Sequence, residues 1–211
     1  MPIELPPMRR VVCEINKEGK SVIVEDGPPK HNRTDPKRPG FRVNNLWVTS
    51  GMPAPIGDGD RSTEVKGILP PANGTIVKVI DMPPEPKDKA ERDRVAPAVH
   101  EEPGLRRRPE SGHPGFHETD TIDYAVVLKG EVYAMVDGGE TLMKEGDILI
   151  HRATNHAWSN RSDSICATRA ACSRRSSGRA PFTSRSSSAR RPTAASRCCA
   201  ASAARIGTGR C

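Results

Sequence analysis

Between residues 113 and 160 the chain alternates short apolar runs with glycine-bearing turns. Residues 122–128 run into Lys129-Gly130, and residues 131–136 run out to Asp137-Gly138-Gly139. Thr141-Leu142-Met143 then precedes the turn Glu145-Gly146-Asp147, and Ile148-Leu149-Ile150 follows. Such runs, cut by turns about every 8–12 residues, predict antiparallel hairpins in an all-β sandwich or jelly roll. Upstream, residues 9–25 read as a hairpin turning at Lys17-Glu18-Gly19-Lys20. Residues 41–48 and 74–80 read as further strands. Residues 83–112 are rich in proline and charge, which predicts a long polar loop with a short helix around 87–93. No internal repeat stands out.

At 211 residues the chain has room for one domain with appendages. The division expected is an N-terminal arm over 1–8, a barrel over 9–166 and a tail over 167–211. No apolar run approaches the roughly 20 residues of a membrane span, and MPIELPPMRR lacks the apolar stretch of a signal peptide. The expectation is a soluble cytoplasmic protein without a membrane partner.

Charge divides the chain unevenly. Residues 167–211 hold ten arginines and no Lys, Asp or Glu, so the overall +7 leaves the preceding residues at −3. The tail is written almost wholly in Ala, Arg, Ser, Thr, Gly, Pro and Cys, with Phe182 and Ile206 its large apolar residues. That alphabet is what GC-rich codons give out of frame. The leading expectation is a shifted reading frame near residues 165–170, and the rival is a disordered Arg/Ser arm able to meet phosphates by charge alone. Without aromatic interleaving beyond Phe182, nucleic acid is not the expected partner. Four of the six cysteines lie in this tail and no CxxC pair occurs, so neither a disulfide framework nor a zinc site is read.

The candidate chemistry lies in residues 113–160. Strand residues an even number apart share a face, so His117, Thr119, Thr121 and Asp123 are expected to line one side. His156 follows the next hairpin and can converge on them inside a jelly roll. Two imidazoles and a carboxylate suit non-haem iron or a similar divalent metal. The same groups suit a metal-free pocket in which they bond one another or a ligand.

The segment resembles the cupin superfamily. Its first motif has counterparts in His117, Asp123 and, after six residues, Gly130. Asp123 replaces the usual Glu, and Thr119 stands where a second His is usual. The second motif has counterparts in Gly146 and His156-Ala157-Trp158-Ser159-Asn160, without the Pro-x-Gly between them. The resemblance is to small single-domain cupins carrying a TIDY, VVL, GE, TNHAW and NRS pattern, strongly over 113–160 and loosely over 9–112. It implies a cupin-type jelly roll, a homodimer and a small-molecule substrate. Cupin-domain oxidoreductases of this kind accompany polyketide-type enzymes, which implies oxidation or rearrangement of an aromatic or polyketide intermediate. His117, Asp123 and His156 would hold Fe, Mn, Ni or Zn, while Thr119, Thr121 and Asn160 would shape the pocket, with Asn160 orienting His156. The alternative is a metal-free binding or isomerising cupin with His156 and Asp123 as acid and base. The resemblance also implies a further strand after Asn160-Arg161-Ser162, for which the tail offers no apolar text.

Other residues read more plainly. His113 is expected in solvent, His100 in the polar loop, and His151 on the outer face, out of phase with an inward Ile150. Trp47, Trp158, Tyr124 and Tyr133 read as packing residues, and Arg106-Arg107-Arg108 as a solvated loop.

Overall fold

Apolar and β-branched residues at alternate positions put most of the chain into antiparallel strands. A computed structural model describes residue 5 and residues 7–95 and 104–174. His100, most of the N-terminal arm and the tail from 175 onward lie outside the described residues. In chain order the strands are β1 (Arg10–Ile15), β2 (Ser21–Gly27), β3 (Arg33–Thr34), β4 (Arg42–Thr49) and β5 (Thr75–Met82). The helix α1 (Lys89–Val95) is followed by β6 (Leu105–Arg107), β7 (His117–Thr119), β8 (Thr121–Lys129) and β9 (Glu131–Val136). The last strands are β10 (Gly139–Lys144), β11 (Ile148–Arg152), β12 (His156–Ser159) and β13 (Cys166–Arg174).

β1 and β2 form a hairpin of their own. The others build a five-stranded sheet, ordered β10-β9-β12-β7-β6, and a six-stranded sheet, ordered β11-β8-β13-β5-β4-β3. The two sheets face each other across a core in which Met82, Val127 and Cys166 of one pack with Val132, Ala134 and Met143 of the other. This is the all-β, two-sheet jelly roll expected. Period-two burial shows why β8 belongs in it. Thr121, Asp123, Ala125 and Val127 are buried, while Tyr124 and Leu128 are exposed.

The end of the barrel differs from the sequence reading, which closes it at 166. Cys166–Arg174 is a strand, hydrogen-bonded to β8 on one side and to β5 on the other. Its apolar content is modest, but a ladder on each side, the one to β8 broken by a register shift between Ala167 and Thr168, pairs its backbone, and small Ala, Thr and Cys side chains fit a crowded sheet centre. The expected polar loop is also partly structured. Besides α1 it contains β6, paired with β7 through Leu105 and Thr119.

Candidate functional site

Two cross-strand pairs, one from each sheet, build the site. In the five-stranded sheet His156 lies directly opposite His117. In the six-stranded sheet His151 lies opposite Asp123. The chain changes sheets between β7 and β8 yet keeps its parity. His117, Thr119, Thr121 and Asp123 therefore line one cavity as the alternation predicts.

His151 is the residue that the sequence reading misplaces. It is 4% exposed, whereas Ile148 and Ile150 are 66% and 56% exposed. Taking isoleucine as inward inverts the phase of β11. Pairing to β8 fixes that phase, because Leu149 and His151 sit opposite the inward Ala125 and Asp123. The His151 ring stacks on His156, with centroids 3.9 Å apart, and His117 lies 4.4 Å from His156. Trp158 meets His151 edge-on at 5.7 Å.

The imidazoles are held by their Nδ1 atoms. Nδ1 of His117 meets the Gly115 carbonyl at 2.8 Å, and Nδ1 of His156 meets the Thr154 carbonyl at 2.8 Å. A carbonyl only accepts, so both nitrogens carry the proton and both Nε2 atoms keep a lone pair in the neutral ring. Burial favours that neutral form. It lowers His117 to about 4, helped by the neighbouring His156. It lowers His156 to about 4 as well, helped by His151. His151 is lowered too, again chiefly by burial, and its Nδ1 meets the Thr154 hydroxyl at 2.8 Å.

Asp123 is 9% exposed, and its Oδ1 has no hydrogen-bond partner among the described residues. Cys172 of β13 lies opposite it, and burial pushes that thiol up to about 12. The Thr119 and Thr121 hydroxyls bond each other at 2.7 Å. Thr119 therefore contributes a hydroxyl where the resemblance implies an imidazole.

Asn160 does different work from that expected. Its amide nitrogen donates to the Met82 and Ser164 carbonyls, and its oxygen accepts from Ser162. It braces the turn into β13, and the Thr154 carbonyl orients His156 in its place. His113 is likewise not in solvent. Its ring bonds Glu85 at 3.0 Å with 13% of the side chain exposed.

Two imidazoles with committed Nδ1–H groups, and a carboxylate oxygen left unpaired, are the donor types that a divalent transition metal takes. Among the described residues, however, no three His, Cys, Asp or Glu side chains are arranged to hold one. The donor chemistry fits, but the present side-chain positions do not converge.

The cavity has a volume of about 410 Å³ and more apolar than polar wall, within the range of small-molecule sites. Ala125 and Ala170 leave its floor open, while Ile80, Met82 and Trp158 give it apolar walls. Phe41, Arg33 and Arg38 also line it, and the Arg38 guanidinium lies 4.8 Å over the Phe41 ring.

The opposed sheets and their enclosed cavity define a jelly-roll barrel with an interior site. Its curated relatives include proteins named for a cupin domain. Over 168 residues the chain is 28% identical to the cupin-domain-containing oxidoreductase srdD of Neurospora crassa, covering 74% of this chain and 69% of that one. Over 52 residues it is 48% identical to the phomopsin biosynthesis cluster protein C' of Diaporthe leptostromiformis. That match takes in 24% of this chain and spans only 28% of the relative's length. Among solved structures, the cupin domain of Cnp3 from Schizosaccharomyces pombe aligns with a TM-score of 0.40 at 10% identity, over 79% of this chain and 87% of that one. No protein-family profile matches the chain. Among the described residues no helix is long and apolar enough to cross a membrane.

Proposed function

We propose that this chain is a cupin-type oxidoreductase of a biosynthesis cluster, acting on a small aromatic or polyketide-type molecule held inside the barrel. The observation that carries the reading is the meeting of three neutral imidazoles and a carboxylate at one apolar cavity. Relatives named as cupin-domain oxidoreductases support the redox assignment. His117, His156 and Asp123 would have to draw together to hold a metal. An Fe, Mn, Ni or Zn ion bound there would supply Lewis acidity and open positions for substrate or oxygen. Thr119 and Thr121 shape the wall beside these groups, and the apolar sides exclude water and orient the substrate.

A metal-free isomerising reading draws on the same geometry. His156 Nε2 is a ready proton acceptor, and Asp123 offers an unpaired oxygen to the same cavity. Together they form an acid–base pair without redox chemistry. The deciding experiment incubates purified protein with the intermediate that accumulates in a strain lacking its gene. Loss of two hydrogens or gain of an oxygen supports the oxidoreductase, whereas a product of unchanged mass replaces it with the isomerase. Metal content after reconstitution reads the metal separately. Less than about a tenth of an equivalent would discard the ion.

We also propose a homodimer. Val11, Ile15, Ile23 and Val24 of the β1–β2 hairpin are exposed, as are Tyr124, Ile148 and Ile150 on the outer face of β8 and β11. Apolar patches of this kind favour a covering partner. A monomeric mass by light scattering would overturn it.

A further inference from the structure

Lys78 lies on the inward face of β5 with Ile80 and Met82, lines the cavity and is 5% exposed. Its Nζ donates to the Ile68 carbonyl, and among the described residues its other two donors have no partner. No carboxylate among the described residues forms an ion pair with it. Three carboxylates line the same cavity: Asp35 in the loop after β3, Glu85, which bonds His113 and Ser159, and Asp123 of β8, two strands away from Lys78. β13 runs between β5 and β8, with Ala170 opposite Lys78 and Cys172 opposite Asp123. Two strand spacings amount to about 10 Å. Its titratable neighbours do not compensate the charge either. His117 and Cys172 are both neutral at physiological pH.

A buried ammonium without a counter-charge is costly, and folds retain one where a ligand or partner balances it. Holding the Ile68 carbonyl does not account for it, because a neutral donor would serve equally well. We propose that Lys78 is the anion anchor of the cavity and takes the carboxylate of a small organic acid with an apolar body. The ammonium and the carboxylate form a charge-assisted hydrogen bond inside the barrel. The body of the acid then lies between Ile80, Met82 and Trp158, and its carbon skeleton extends from Lys78 toward His117 and Asp123. The proposal rests on the barrel being a small-molecule site, and it narrows the substrate of that site to an acid.

Benzoate and benzamide share a shape and differ in charge, so they test the anchor directly. Calorimetric titration of the full chain should show benzoate binding at least about tenfold tighter than benzamide. In Lys78→Met, which keeps the side-chain length and removes the charge, that preference should vanish while benzamide binds as before. The ligand-free variant should melt at the same temperature or higher, since a buried charge has gone. Lys78→Gln, which keeps a donor for Ile68, replaces it if the Met variant does not fold. Equal binding of the two ligands by the unaltered chain overturns the anchor and leaves the pocket reading standing. A preference that survives in the Lys78 variants also overturns it, and moves the anion to Arg33 or Arg38 at the cavity wall. Binding of neither ligand overturns both the anchor and the pocket.

Discussion

His151 stacks on His156 with ring centroids 3.9 Å apart and planes inclined by 24°. One ring comes from the six-stranded sheet and the other from the five-stranded sheet, so the contact ties the two halves of the barrel at the site itself. A stack of neutral imidazoles in a dry cavity has a defined response to acid.

In the metal-free protein His117 and His156 do not protonate until about pH 4, against an ordinary 6.5. The unfolded chain takes up those protons near 6.5 and so binds more of them throughout the interval. Stability present above about 6.5 is therefore lost as pH falls toward about 4, by on the order of a few kcal/mol for the pair. Melting temperature should drop across this window, and a His117→Gln, His156→Gln double variant should show a flatter profile. A profile of unaltered chain as flat as the variant's contradicts the assignment.

The Arg42–Asp81 ion pair, at 2.7 Å with both residues buried, couples β4 to β5. Asp81→Ala leaves a guanidinium without its carboxylate and should cost about 3–5 kcal/mol. Urea unfolding reads this as a lowered midpoint. An Arg42→Met, Asp81→Leu double variant should recover part of the loss, since guanidinium and carboxylate are then removed together.

Ending the chain at residue 165 removes β13 from between β5 and β8. Both neighbours then present an unpaired ladder in the middle of a sheet, which invites aggregation. Such a chain should appear in the insoluble fraction, while the full chain stays in solution. Equal solubility of the two would show that the barrel closes without this strand.

Ala170 lies between Lys78 and Ala125 on the cavity floor. Ala170 faces the cavity and also packs on the cluster of Val48, Ile76 and Cys172, so Ala170→Leu should cost about 1–3 kcal/mol in stability. Benzamide binding should weaken by about tenfold or more as the floor fills. Unchanged affinity would place the ligand elsewhere.

Much of the barrel is legible in the sequence because strand alternation is local. His117, Thr119, Thr121 and Asp123 share a face for no reason beyond the period of two, and the chain's change of sheet does not disturb it. His151 was illegible for a related reason. The period of β11 is plain, but its phase depends on which face of β8 it meets, and two isoleucines point the wrong way. The Nδ1 commitments of His117 and His156 were hidden too, since their acceptors are carbonyls that any residue carries. β13 escaped notice because its text resembles the tail that follows it, and a strand satisfied on both sides asks little of its own side chains.

The sequence by itself determined an all-β chain with turns at Gly130, Gly139 and Gly146, and a face bearing His117 and Asp123. Those features depend on a few neighbouring residues at a time. Only the tertiary structure decided that His151 joins the site, that Asn160 leaves it, and that Lys78 is buried in the wall of the same cavity. Each of those depends on which strands become neighbours, and pairing partners up to about a hundred residues apart are chosen by the packing of the whole barrel.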